Sequence, residues 1–504
     1  MSDDPMKALV SCLAFLLCVI SASALIGRDA PVAIAAQTAA AMQQRVVSVA
    51  AGGDAAAAVT AARCGDVIEL AAGQSYQALT LPPLNCGRWT TVRVAGALPE
   101  RRIGPADARQ LATVPRLNIP DGTSYWRIVG LRCAPTMNTY GCIRLGNADG
   151  HKDIASIAHH IELDRVFVDV PDAVQERRGI QVNASDVTIR RSTVHGVKEN
   201  GEDSQAIGSW DSPGRVAIDD NDLQAAGEVI MFGGATPSLP GLFAQDVTIT
   251  NNDISRPMAW RGGPYQIKNL LEIKAGRQFI IRGNRFSNNW VAAQSGLSIL
   301  FTVRNERPWT TVEDILFEGN TLRNASGGIN VLAVDNETPI ERRHPYPAQR
   351  ITVRNNLLVL DPKTLGGDGR CYMLLLAPKD ITIDHNTCVS DGSAVLVVDG
   401  PQASGFVFTN NLHNHGQYGI IGTGHGPGAD SIAAFFDRPI ILRNVFAGAA
   451  IPYPATNLTP SLSSFLGHFL SPSTGDYRLK ETSSFRKAGT DGKDLGADVS
   501  ALPK

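Results

Sequence analysis

Seven asparagines stand behind the same apolar frame: Asn221, Asn252, Asn284, Asn320, Asn356, Asn386 and Asn411. Each closes a phrase of the form apolar-x-apolar-x-x-Asn-x-apolar, as in Val247-Thr-Ile249-Thr-Asn-Asn252-Asp-Ile254 and Phe279-Ile-Ile281-Arg-Gly-Asn284-Arg-Phe286. The intervals between them are 31, 32, 36, 36, 30 and 25 residues. A phrase repeated at such spacing buries its apolar side chains by lying on the next copy, which makes the chain a solenoid. Within the phrase apolar and polar residues alternate, as in a β-strand. Asparagine suits the corner because it tolerates left-handed backbone and its side chain bonds to the turn. Stacked coils would set these amides above one another as an internal ladder. A β-sandwich with Asn-rich turns is the competing architecture, but nothing in a sandwich requires one phrase in one register seven times. The sequence predicts an all-β, single-domain right-handed parallel β-helix with an asparagine ladder.

A chain of 504 residues would ordinarily divide into domains, but a solenoid escapes that limit because each coil is buried on its neighbour. The expectation is one β-helix domain over residues 46–500, in ten to twelve coils. Asp54 is placed to cap an Ala-rich helix reaching Arg63, which would close the N-terminal end. At the other end, Tyr477-Arg-Leu479 and the loop 489–498 read as a closing strand and a loop cap. Coil phrases before Asn221 are degenerate, with Ser192 or Val166 at the ladder position.

Residues 1–36 differ from the rest. Lys7 precedes an apolar run from Ala8 to Ile26, which contains the small-residue site Ala22-Ser-Ala24 and is followed by Ala33-Ile-Ala35, the pattern of a secretory signal peptide. The run also approaches the ~20 residues that span a bilayer, so an uncleaved anchor is the alternative, and membrane contact is expected only in that case. Six cysteines follow, in three local couples: Cys64 with Cys86, Cys133 with Cys142, and Cys371 with Cys388. In an exported chain such couples predict disulfides, and the expected location is secreted, periplasmic or cell-surface. A formal net charge of −2 leaves no electrostatic footprint for nucleic acid.

Most coils carry a further strand after the ladder phrase, including Ile143-Arg-Leu, Ile180-Gln-Val, Leu271-Glu-Ile and Ile299-Leu-Phe. If the first residue of each points inward, alternation turns Arg144, Gln181, Asn183, Glu272, Lys274, Thr302, Arg304 and Asn330 outward, with Trp210 among them. Insertions at 234–245, 257–268, 304–311 and 335–349 would wall this stripe. Charged groups beside Trp260, Tyr265, Trp290 and Trp309 suit a sugar polymer. The expected substrate-binding residues are Arg144, Gln181, Asn183, Trp210, Lys268, Trp290 and Asn330.

Lys274 and Arg304 are the sharpest pair. Cleaving a uronic-acid polymer by β-elimination needs a base for the proton beside the carboxylate, positive charge for the enolate, and an acid for the leaving oxygen. Lys268, Arg304 and Arg261 would help Lys274 lose its proton, whereas Glu272 would oppose that. Engagement of Glu272 by Ca²⁺, with Glu228 and Asp203 as further oxygen ligands, would relieve the opposition. The plainer alternative is that Lys274, Glu272 and Arg304 form surface ion pairs. Asp203, Asp211, Glu228 and Glu272 also admit a two-carboxylate glycoside hydrolase, and a groove that only binds glycans is a third reading. No zinc constellation, nucleophile elbow or phosphate loop stands out.

The stretches Asp203-Ser-Gln-Ala-Ile207, Ala225-Ala-Gly-Glu-Val-Ile-Met-Phe-Gly-Gly234 and Lys268-Asn-Leu-Leu-Glu-Ile-Lys274 resemble secreted bacterial β-helix repeat proteins of the pectate-lyase-like superfamily. Over about two coils the chain also resembles polysaccharide lyases of the chondroitinase B and alginate lyase type. Glu272-Ile-Lys274 is followed on the next coil by Gly296-Leu-Ser-Ile-Leu-Phe-Thr-Val-Arg304. That likeness implies Lys274 as base, Arg304 as acid or charge stabiliser, and Glu272 as a Ca²⁺ ligand. The chain departs from the pattern in its closer Glu–Lys spacing and in the insert 289–294 before Arg304.

Overall fold

The computed structural model describes residues 44–84, 86–304, 309–334 and 346–504. The segment read as a signal peptide or anchor lies outside them. Arg45–Lys504 forms one compact unit.

Three long sheets of 14, 12 and 12 strands run the length of the unit, and every neighbouring pair within them is parallel. Each coil gives one strand to each sheet in turn: Gln245–Thr250 to the first, Asp253–Ser255 to the second, Leu271–Ile273 to the third. The crossovers are right-handed, the sense that a twisted strand favours. The architecture is a right-handed parallel β-helix. Its alternation places like on like. Val187, Val216, Val247, Phe279, Ile315, Ile351 and Ile381 pair in register along the first sheet, and all are buried. Each contributes roughly 1.5–3 kcal/mol of burial.

The asparagine ladder exists and is longer than the apolar frame indicates. From Asn221 onward, each backbone N–H and each Nδ2 donates to the Oδ1 of the next ladder residue at 2.8–3.1 Å, through Asn444 to Asn457. Asn444 escapes the frame because Pro439 holds its first apolar position. Ser192 extends the series the other way: its N–H donates to Asn221 Oδ1, and its Oγ accepts from the Val166 N–H, each at 2.9 Å.

The corner itself differs from the expectation. The left-handed residue is the one before the ladder amide, as at Asp220, Asn251, Asn355, His385 and Asn410 (φ 51 to 59°) or Gly283 and Gly319. That residue makes the bend, which glycine and short polar side chains tolerate best. The ladder side chain is thereby left free to point inward and bond to the neighbouring coil.

At the start of the unit a helix spans Ala55–Thr60, shorter than expected, with Asp54 Oδ1 accepting the Ala57 N–H at 2.9 Å. Ala55 and Val59 are fully buried in the common core. The C-terminal end corrects the sequence reading. Asp476–Leu479 does pair with Phe469–Ser471, antiparallel, but the following loop is a strap and not a cap. It runs back along the second sheet, where the Ala497 N–H donates to Thr387 Oγ1 at 3.0 Å and the Asp498 N–H to Asn355 Oδ1 at 2.7 Å. Arg285 then holds the carbonyl of Lys504 at 3.2 Å. The three expected disulfides, Cys64–Cys86, Cys133–Cys142 and Cys371–Cys388, are all formed. Among the described residues no helix is long and apolar enough to cross a membrane.

Candidate active site

On the third sheet Ile143, Ile180, Ile207, Ile230, Leu271, Ile299 and Ile329 form the inward row, each 2% exposed or less. Alternation turns the adjacent row outward: Arg144, Gln181, Gly208, Met231, Glu272, Leu300 and Asn330. Met373 joins it, because Ile329 pairs with Tyr372; here the inward position is the residue before the expected one. The row faces away from the core yet is covered, with Gln181, Met231, Glu272, Leu300 and Asn330 all buried.

Near the middle of this sheet five charged side chains converge from three neighbouring coils. Glu228 precedes the strand Ile230–Phe232, and Glu272 lies on the paired strand Leu271–Ile273. Lys268 and Lys274 flank that second strand. The Lys274 ammonium lies 3.5 Å from Glu272 Oε2 and 3.7 Å from Glu228 Oε1. Lys268 lies 3.5 Å from the same Glu228 oxygen and 2.6 Å from Asp203 Oδ2. Burial is uneven. The Glu228 and Glu272 side chains are 0% and 3% exposed, while those of Lys268 and Lys274 keep 20% and 15%. The carboxylates therefore form a floor, and the two ammoniums stand between that floor and solvent.

Neighbouring groups treat the two glutamates differently. Gln205 Nε2 donates to Glu228 Oε2 at 2.8 Å, and Thr302 Oγ1 donates to Glu272 Oε1 at 3.2 Å. Burial pushes the Glu228 carboxyl up, but Lys274, Lys268 and the Gln205 hydrogen bond outweigh it, and the group is held below the usual carboxylate range. For Glu272 burial prevails: with Glu228 nearby, its carboxyl is raised despite Lys274 and Lys268. Burial also works against the charge of Lys268, but Glu228 and Asp203 more than compensate and hold it above its ordinary value. Behind the floor lies Arg256, fully buried and pulled down to about 9 by burial against the attraction of Glu228. Its guanidinium donates to Asn289 Oδ1 and to the carbonyls of Ala225, Gly227 and Asn269. It ties the turn after the second sheet to the third.

The remaining expected residues are placed as follows. The Arg304 N–H donates to the Lys274 carbonyl at 2.9 Å, so Arg304 enters beside Lys274 on the next coil. Trp210 is half-buried with the Arg178 guanidinium stacked 4.5 Å over its ring. Asn183 is fully buried, and its Oδ1 accepts the N–H groups of Trp210 and Asp211, each at 3.2 Å. It braces a turn and is out of a ligand's reach. Gln181, 1% exposed, donates to the Gly146 carbonyl. Arg144 bonds the Thr139 carbonyl and borders a separate hollow of about 470 Å³ on the early coils.

Trp290 corrects the sequence reading: it is 2% exposed and packs with Trp260, Ile267 and Leu365 in a satellite core under the 257–268 insertion. An aromatic in a turn can pack under its own loop as readily as line a groove. Arg261 donates to the Thr364 carbonyl at 2.5 Å. The insertions at 304–311 and 335–349 fall partly outside the described residues. Sequence reasoning missed Gln205, Arg256 and Arg178 as site residues. Gln205 is in frame with Glu228 on the next coil, a signal that could have found it.

The residues do not fit the calcium that the resemblance implies. Among the described residues no three His, Cys, Asp or Glu side chains are grouped to hold a metal. The space between Glu228 and Glu272 faces two ammoniums, which already neutralise both carboxylates. For a hydrolase built on these glutamates the difficulty is their burial, at 0% and 3% exposure. What the arrangement turns toward solvent is the two ammoniums, held in place by the carboxylates.

No protein-family model matches this chain, and no curated protein matches it. Solved structures do. A mannuronic acid specific polysaccharide family 6 lyase from human gut microbiota superposes with a TM-score of 0.51 at 13% identity, over 82% of this chain and 89% of that one. The PL6 family alginate lyase AlyGC gives 0.53 at 14% identity, over 91% of this chain and 58% of that one. The catalytic unit of a GH87 α-1,3-glucanase from Streptomyces thermodiastaticus strain HF3-3 gives 0.51 at 15%, over 83% and 71%. At these identities the likeness is one of fold.

Proposed function

We propose that this protein acts outside the cytoplasm as a polysaccharide lyase, cleaving a uronate-bearing polymer by β-elimination on the third sheet. The observation that carries the reading is the pair Lys268 and Lys274, half-buried beside two fully buried glutamates and keeping the cluster's access to solvent. Such a pair recognises an anion and has nothing comparable to offer a neutral sugar. The scaffold supports the reading, since it also serves enzymes named as alginate and mannuronic acid lyases, although function resides in the site. Three disulfides support an oxidising compartment.

In this reading Lys268, kept charged by Glu228 and Asp203, binds the uronate carboxylate and neutralises the enolate that forms from it. Lys274 is the base. To take the proton beside the carboxylate it must first give one up, and Glu272 Oε2, 3.5 Å away with its carboxyl raised by burial, is placed to receive it. The electrons of the broken C–H bond form a carbon–carbon double bond and expel the glycosidic oxygen. That oxygen takes its proton from Arg304 or from water. No step uses a metal.

The test is turnover of acidic polysaccharides followed by ultraviolet absorbance of the unsaturated product, for the wild type and Lys274→Ala. Loss of the signal in the variant, with the unfolding midpoint unchanged, is the expected result. A variant that still generates the absorbance at the wild-type rate removes Lys274 from the mechanism.

A further inference from the structure

A pair of guanidiniums on the early coils of the third sheet is accounted for neither by folding nor by the lysine centre. Thr80, Asn118 and Arg144 stack in register on three successive strands of that sheet. Together with Asn147 and Asp149 of the following turn they line a hollow of about 470 Å³. That volume lies within the ~300–1,000 Å³ of ligand pockets. The turn that walls the hollow is anchored from behind. Asn183 Nδ2 donates to the Asn147 carbonyl at 3.0 Å, and the buried His151 ring bonds Asp121 Oδ2 at 2.7 Å and the Asp211 carbonyl at 2.8 Å.

Among the described residues Arg144 has no carboxylate at ion-pair distance, and neither has its neighbour Arg116. Arg127 and Arg132, close by in sequence, are paired, with Glu162 at 2.6 Å and Asp169 at 2.9 Å. The bond that the fold supplies to the Arg144 guanidinium is to the Thr139 carbonyl. Burial works against its charge and Arg116 adds repulsion, which Glu176 and Asp149 offset only in part. An anion bound in the hollow relieves both penalties. The rest of the lining is neutral or hydroxyl-seeking. The Asn147 amide makes no hydrogen bond among the described residues, and Thr80 Oγ1 meets the Asn118 amide only at 3.5 Å. Asp149 brings a carboxylate to the same space, which repels a small multiply charged anion and accepts hydroxyls. A ligand that satisfies the whole lining carries one negative charge beside several hydroxyls.

We infer that this hollow is a second, non-catalytic saccharide site, in which Arg144 binds the carboxylate of a uronate while Thr80, Asn147 and Asp149 bond its ring hydroxyls. Arg144 is four strands from Glu272, roughly 19 Å along the axis at the ~4.8 Å spacing of strands, so the two sites hold different sugars. The site needs no part of the chemistry assigned to Lys274, only an acidic sugar. A second point of attachment lets the protein keep hold of an acidic polysaccharide that has left the lysine centre.

Hydrogen exchange at residues 144–151, read by mass spectrometry, reports this site apart from the lysine centre. The probes are the methyl glycosides of glucuronic, mannuronic and galacturonic acid, the carboxyl-reduced form of each, and acetate as a bare carboxylate. At least one uronoside is expected to slow exchange in the wild type, while its reduced form and acetate do not. Arg144→Gln should raise the half-protecting concentration about tenfold, the scale of one charge-assisted contact. Arg144→Lys should recover part of the loss, since it restores the charge without the planar fork. Asn147→Ala, which removes an amide the fold does not use, should raise it about threefold. Exchange unchanged by all three uronosides, equal slowing by a reduced sugar or by acetate, or an unaltered half-protecting concentration in Arg144→Gln would each overturn the inference. If Arg144→Gln lowers the unfolding midpoint, Asn147→Ala decides, and an unaltered concentration there overturns it. Protection at these residues without ultraviolet-absorbing product from any acidic polymer would leave the site standing and remove the lyase reading. Product without protection would do the reverse.

Discussion

Replacing Asn320 by alanine probes the physics of the scaffold most sharply. Its side chain makes four hydrogen bonds: Nδ2 donates to the Ile281 carbonyl at 2.9 Å and to Asn356 Oδ1 at 3.1 Å, while Oδ1 accepts from Asn284 N and Nδ2 at 2.9 and 3.0 Å. Asn320 is 1% exposed, so water cannot replace them. Truncation leaves the Ile281 carbonyl and the Asn284 N–H without these partners in the interior. At about 1–3 kcal/mol for each orphaned buried group, plus the contacts of the lost amide, the expected cost is about 3–5 kcal/mol. Asn457, at the ladder's end and only half-buried, is the control. Its side chain makes the same four bonds, Oδ1 accepting from Asn444 N and Nδ2 and Nδ2 donating to the carbonyls of Ile441 and Pro454, but these are part-buried or exposed, so water replaces them and alanine there should cost about 1–2 kcal/mol. Guanidinium unfolding followed by far-ultraviolet circular dichroism reads both variants against the wild type. Equal losses at the two positions, or a loss below about 1 kcal/mol at Asn320, would refute the view that the ladder carries load coil by coil.

Four further outcomes concern the charged cluster. Glu228, whose carboxyl is held low in the fold, contributes stability that is present above the ordinary carboxylate range and lost as pH falls through its lowered value. Glu228→Gln should therefore lower the unfolding midpoint at pH 7 and matter progressively less below about pH 4. Glu272 has the opposite sign: its raised carboxyl costs stability as pH climbs, so Glu272→Gln should stabilise the fold at pH 8 relative to pH 4, read by the same thermal scans. Lys268→Gln should raise KM for an acidic polymer about tenfold or more, with little effect on a carboxyl-reduced one, in steady-state absorbance assays. Cleavage should proceed equally in EDTA and in millimolar calcium, and a requirement for the metal would show that a site exists which these carboxylates do not make.

The fold was legible because its signal repeats. Val247, Ile249 and Asn252 mean little alone, but the same frame at Phe279, Ile281 and Asn284 leaves few architectures that satisfy both. The corner was misread because the phrase places two turn residues together, and only geometry shows that Asn251 bends the chain while Asn252 points inward. Lys274, Glu272, Glu228 and Asp203 were recoverable because they lie on or beside strands whose alternation is visible. Arg178, Arg256 and Trp290 were not. They occupy strand ends and turns, where coil length varies, and there burial depends on which neighbour the loop folds over. The buried state of the glutamates was hidden for a related reason: alternation gives the direction of a side chain from the core, not what covers it.

The most direct measurement of β-elimination is to present matched pairs of polysaccharides, each uronate polymer with its carboxyl-reduced form, and to record ultraviolet absorbance and reducing ends together. Absorbance and reducing ends rising in equal number on a uronate polymer, with neither on the reduced form, is the predicted result. Reducing ends without absorbance, on either form, would contradict β-elimination and with it the roles of Lys268 as carboxylate anchor and Lys274 as base.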